Sequence, residues 1–197
     1  MTTKVMTKAT NQPTTGVMTP YALGTLGMIG APFLFIEGLA HGFNMTQPTP
    51  LGGFLELFYL GGWMSSIIGL GMLQATGRGK GGKIILGLQL LGLILATVFS
   101  VFNIVWPSLS PDTLLFQITD TAWPLSHTFM LVVGGAVLMA RRLSGWTRFA
   151  PLACGLAVPL LMAVGMIGGE QAMLFFGPYT WVVFTLLGYA VRTGKQL

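Results

Sequence analysis

The sequence predicts an all-α fold, a polytopic bundle of six membrane-spanning helices, on three observations. Only 8% of the 197 residues are charged while 53% are hydrophobic, whereas a soluble domain carries roughly 25% charged residues. The mean hydropathy is +0.75. Six apolar stretches each reach the roughly 20 residues that a helix needs to cross about 30 Å of hydrocarbon. This composition excludes a soluble enzyme, a nucleic-acid binder and a disordered tail.

The chain divides into a polar N-terminal tail, residues 1–20, and a single transmembrane domain, residues 21–197. The tail is Thr-rich, carries Lys4 and Lys8 and lacks the apolar core of a signal peptide, so it is expected to stay on the mature protein. Spans are expected near 21–40, 51–74, 84–106, 121–140, 149–169 and 171–191. Runs this long read as helices, because the strands of a membrane barrel alternate polar and apolar residues. The connections are short, and leave no room for a second domain.

Charge sets the expected orientation. Placing the N-terminus inside puts Lys4, Lys8, Arg78, Lys80, Lys83, Arg141, Arg142, Arg148, Arg192 and Lys195 on the cytoplasmic side, as the positive-inside rule asks. Both termini are then cytoplasmic. The acids Glu37, Glu56, Asp112, Asp120 and Glu170 fall in the outer half or the outer loops. A bacterial cytoplasmic (inner) membrane is the expected location. The net charge of +5 is spread over alternate loops and makes no basic face for nucleic acid.

Within the spans, Ser65 with Gly69, Ala153 with Ala157 and Gly165 with Gly169 have the spacing that lets helices approach closely in lipid. Pro32, Pro159 and Pro178 interrupt helical hydrogen bonding and free the carbonyls of Met28, Gly155 and Leu174. Ser110-Pro111-Asp112 reads as a helix start, and Leu114, Leu115 and Ile118 as the apolar side of a short interfacial helix. Trp106, Trp123 and Trp146 stand near span ends as interfacial anchors, whereas Trp63 and Trp181 lie deeper and pack. Two runs of three spans would suit an inverted repeat, although no internal sequence match supports one. Asn44-Met45-Thr46 has the form of a glycosylation acceptor, which a bacterial origin would void. The lone Cys154 excludes an internal disulfide, and Gly77 to Lys83 reads as a flexible cationic loop because the Lys-Ser/Thr ending of a phosphate loop is missing.

The candidate site is a layer of ionisable residues in the outer half. Glu37 lies about 6 Å inside the first span, Glu56 about 8 Å inside the second and His127 about 6–9 Å inside the fourth. His41 shares a helix face with Glu37, and Asp120 shares one with His127. Tyr59 stands about one turn deeper than Glu56, and a break at Gly177-Pro178-Tyr179 is expected at comparable depth. A lone charge in hydrocarbon costs about 2.5–3.5 kcal/mol, so such groups turn inward and find partners. With no Lys or Arg at this level, the carboxyls must share protons, pair with imidazolium or hold a cation.

Three readings follow. The first is an outward-opening site for a cation, a proton or a small ligand, serving transport or membrane-embedded chemistry. Glu37, Glu56, Tyr59, Asp120 and His127 are its ligand- or proton-binding candidates, and Glu37, His41, Glu56 and His127 would hold a divalent metal. Each of these residues, taken alone, reads more readily as a hydrogen-bonded packing residue, and only the set together points to a site. The second reading is a non-catalytic subunit or interaction protein of a larger membrane complex, suggested by the small size and tiny loops. The third, an electron carrier with His41 and His127 as axial ligands of a b-type haem, lacks an outer Lys or Arg to meet the propionates. No nucleophile arrangement or HExxH appears, so catalysis is left open.

Overall fold

Helices account for the described chain because its apolar runs have no partner for their backbone groups except themselves. The computed structural model describes residues 18–43, 49–108, 110–168 and 172–195. Most of the polar tail, with Lys4 and Lys8, lies outside them, as do Asn44-Met45-Thr46, Gly169 and Glu170. The helices are α1 (Pro20–Gly30), α2 (Phe33–Ala40), α3 (Pro50–Met72), α4 (Lys80–Val105), α5 (Leu114–Ala140), α6 (Ala150–Gly155), α7 (Ala157–Gly168) and α8 (Ala172–Thr193). No strand occurs among the described residues. Five units, with α1 and α2 counted together, are long and apolar enough to cross a membrane. The bent pair of Gly145–Gly155 and Ala157–Met166 raises the number to six.

A threonine before a proline starts two of these helices. Thr19 Oγ accepts from the Ala22 N–H at 3.2 Å, and Thr49 Oγ from the Gly52 N–H at 3.0 Å. Pro20 and Pro50 then occupy positions whose N–H would be unpaired in any case. Pro32 has the expected effect, dividing the first span into α1 and α2. Pro159 also behaves as expected, for the fifth span bends by 52° beside the freed Gly155 carbonyl.

Several sequence expectations are corrected. Leu114, Leu115 and Ile118 form no separate interfacial helix but belong to α5, which begins at Leu114 and runs unbroken for 27 residues. Its cap is Thr113, whose Oγ accepts from the Phe116 N–H at 3.3 Å, and not Ser110. Nothing between residues 114 and 121 interrupts helical bonding, so the first turns simply extend the span. Pro178 does not break α8, and Pro124 is carried inside α5 in the same way. Ala153 and Ala157 straddle the bend at Leu156 and so do not share one helix.

The units form a closed ring in chain order. The α1–α2 unit packs on α3, α3 on α4, α4 on α5, α5 on α6 and α7, and these on α8, which returns to α1 and α2. A contact between α3 and α8 fills the middle. Glycines bring α1, α3 and α8 into backbone contact. A Cβ on Gly30 would lie 2.7 Å from Gly62 Cα, and one on Gly24 2.4 Å from the Gly188 carbonyl oxygen. This Gly24-Gly27-Gly30 stripe is a closer packing face than the pairs picked from the sequence, although Gly69 does press on Val191.

The two ends of the ring differ in charge. Gly77 faces Ala140, and Gly194 lies against Leu73 and Leu143, so the loops after α3 and α5 meet the end of α8. Every described Lys and Arg belongs to this end. At the opposite end Gly177 lies against Phe35 and Phe43, Phe99 pairs with Phe116, and the described acids gather.

Candidate functional site

His127 is the centre of the polar interior. It is completely buried (0% exposed) on α5, near the middle of the bundle. Its Nδ1 lies 3.1 Å from the Trp123 carbonyl oxygen and its Nε2 lies 3.0 Å from the Tyr59 hydroxyl. A carbonyl can only accept, so Nδ1 carries the proton; the neutral ring then accepts the Tyr59 O–H at Nε2. This hydrogen bond joins α3 to α5. Aromatic rings enclose the imidazole: Trp123 at 4.1 Å, Trp63 at 4.5 Å, Phe184 at 5.6 Å, Tyr59 at 6.1 Å and Phe176 at 6.2 Å between centroids. Trp123 is therefore a wall of this box and not the interfacial anchor expected from its position. Trp146 and Trp106, by contrast, are exposed near helix ends.

Toward the acidic end, Glu56 comes from α3, one turn before Tyr59. It is 9% exposed, and its Oε2 accepts the Ser100 hydroxyl of α4 at 2.8 Å. Its charge acts on Tyr59 and on Glu37, and the charge of Asp120 acts on it in turn. Glu56 thus stands within electrostatic reach of a carboxyl on each side, Glu37 and Asp120. Asp120 is the exposed one of the three and Glu56 the buried one. Glu37 is received by the first turn of α3, where Gly52 leaves it room; a Cβ there would lie 2.7 Å from Glu37 Oε1. The N-terminal end of a helix favours negative charge, so α3 itself supports this carboxylate.

His41 does different work. Its Nδ1 donates to the Glu37 carbonyl oxygen at 3.0 Å and its Nε2 accepts the Thr49 O–H at 2.8 Å. Thr49 also caps α3, so His41 ties the end of α2 to the start of the next helix. Both imidazoles use both ring nitrogens, and His41 is not among the rings around His127. Among the described residues, no three His, Cys, Asp or Glu side chains come together in a group that could hold a metal ion.

Sequence reasoning missed Ser100 and the rings of Trp63, Trp123, Phe176 and Phe184. A signal for Ser100 existed. The buried positions of α4 are Leu86, Gln89, Leu93, Ala96, Ser100 and Asn103, a regular spacing of three and four that marks one inward face. Its polar members belong to the interior on periodicity alone.

No known protein family, curated protein or solved structure matches the chain.

Proposed function

We propose that this multi-pass membrane protein binds and hands on protons at an acidic site in the half away from its cationic loops. By the positive-inside rule that half faces outward, both termini are cytoplasmic and the membrane is the cytoplasmic one. The observation that supports the reading is the place of Glu56, buried and within electrostatic reach of Glu37 and Asp120, at an end where no described Lys or Arg stands. Like charges in reach of one another, with Glu56 buried among them, are relieved by sharing protons. Asp120 meets the surface, Glu56 holds the buried position, and Tyr59 and His127 continue the polar path to mid-depth. Transport coupled to protons suits this arrangement, since the carboxyls and the Tyr59–His127 pair can each hold or pass a proton.

Infrared difference spectra of the protein in vesicles, taken as the external pH is changed, test the reading. A protonated-carboxyl band that follows external pH and disappears in Glu56→Gln is expected. A spectrum without carboxyl changes, or one unchanged in the variant, would overturn it. A subunit that only holds partners together would show no such band. Orientation is tested separately with cysteines at Asp112 and Arg78 and an impermeant thiol reagent on intact cells. Labelling is expected at position 112 only; the reverse pattern would invert the topology.

A further inference from the structure

On the membrane face of the ring, away from the acidic layer, α4 and α5 part to leave a cavity of about 600 Å³. Its walls are apolar side chains such as Leu88, Leu91, Leu95, Ile118, Leu125 and Phe129. Two buried polar residues also line it, Gln89 at 1% exposure and Ser126 at 3%. The Gln89 amide nitrogen donates to the Ser126 carbonyl oxygen at 3.2 Å, which identifies Oε1 as the remaining atom of that amide. Oε1 has no hydrogen-bond partner, and neither has Ser126 Oγ.

Ser126 departs from the habit of its neighbours. Ser65, Ser66, Thr97, Thr119 and Thr128 all donate to the carbonyl four residues earlier, the usual escape for a hydroxyl in a membrane helix. Ser126 does not, although the same option lies within its own helix. Gly92 stands opposite, where a Cβ would come 2.5 Å from Ser126 Oγ. Only a residue without a side chain leaves this buried hydroxyl its place between the two helices, beside the cavity.

The two unpartnered atoms are complementary to one chemical group. Oε1 only accepts, Oγ can donate, and a hydroxyl supplies one donor and one acceptor. Depth narrows the choice further. Gln89 lies six residues beyond Lys83, the last charge of α4, so about 9 Å past it and inside the hydrocarbon. No phospholipid headgroup resides there. We infer that the α4–α5 cavity binds a membrane-soluble molecule that carries a hydroxyl on an otherwise apolar body, held by Gln89 and Ser126. Quinols, prenols and diacylglycerols share this chemistry. A cavity of this size lies in the usual range for small-molecule sites.

The test uses the full-length protein in phosphatidylcholine vesicles and two photoreactive probes. One is a diazirine-bearing long-chain alcohol, the other the matching alkane without the hydroxyl. Peptide mapping is expected to show several-fold more labelling of residues 88–95 and 121–129 by the alcohol than by the alkane. Ser126→Ala and Gln89→Leu should each reduce that preference. Thr121→Trp, at an exposed wall position, should block both probes while leaving the polar pair in place. Excess unlabelled quinol, prenol or diacylglycerol then identifies the source by which of them competes. Equal labelling by alkane and alcohol, or a preference that survives both polar substitutions, would overturn the proposal and reduce the cavity to a groove filled by bulk lipid.

Discussion

Two seams of this bundle meet on α3 and are built on opposite principles. Toward α1, and on between α1 and α8, the contact is made by Gly24, Gly27, Gly30, Gly62 and Gly188, with backbones close and only a small group such as the Ser66 hydroxyl between them. Toward α5, it is made by Tyr59, Trp63, Trp123 and His127, large groups joined by rings and a hydrogen bond. In lipid there is little hydrophobic drive for helices to associate, so close approach and polar contacts must do that work. The glycine seam uses the first and carries no chemistry. The aromatic seam uses the second, and the titratable groups sit beside it. Packing and chemistry are therefore divided between two faces of one helix.

Substitutions on each face test that division. The largest effect is expected for Gly188→Leu, because a Cβ there would lie 2.7 Å from both the Gly24 carbonyl oxygen and the Met28 nitrogen. Backbone cannot step aside as a side chain can, so destabilisation of about 3 kcal/mol or more is expected. It would be read as loss of monodisperse protein in mild detergent. Gly61→Ala is the control, since nothing lies within 4 Å of a Cβ at that position. Equal behaviour of the two variants would show that the glycine seam is looser than described.

Tyr59→Phe should rank second. It keeps the ring and removes only the donor to His127 Nε2, a loss of about 1–2 kcal/mol by the measure of hydrogen bonds between membrane helices. Thermal unfolding in detergent reads it, and a changed tryptophan emission should accompany it, because Trp63 and Trp123 both contact the imidazole. An unaltered spectrum would separate the hydrogen bond from the aromatic box. Ser100→Ala comes next at about 0.6–1 kcal/mol, since Glu56 loses its one neutral donor from α4. Glu37→Gln is expected to be smallest, within about 0.5 kcal/mol, because the lost attraction to the start of α3 is offset by relief of the repulsion from Glu56. A larger loss would mean that Glu37 is structural and not merely tolerated.

The outer layer was legible to the extent that depth can be counted along a helix. Spacing put Glu37, Glu56 and His127 in one layer, but α5 begins at Leu114 and not near residue 121, so His127 lies about 20 Å along it and deeper than the carboxyls. His41 and His127 stand in the same half of the sequence map but have separate tasks. One closes a corner between α2 and α3, the other is walled in by aromatics from three helices. Spacing reports how deep a residue lies. It does not report which neighbour faces it across the bundle, and that depends on how each helix is rotated.

Composition alone determined that the chain forms helices long and apolar enough to cross a membrane, because so few charges cannot cover a water-exposed surface and long apolar runs must satisfy their own backbone. Charge order along the chain determined which loops share an end. Tertiary structure decided the rest: that Pro124 and Pro178 pass through unbroken helices, that Gly24 and Gly30 bring helix backbones into contact, and that Ser126, on a cavity wall, leaves its buried hydroxyl without a partner. Each of these depends on contacts between residues far apart in sequence, where the neighbouring helix either replaces or withholds the partner that local bonding lacks.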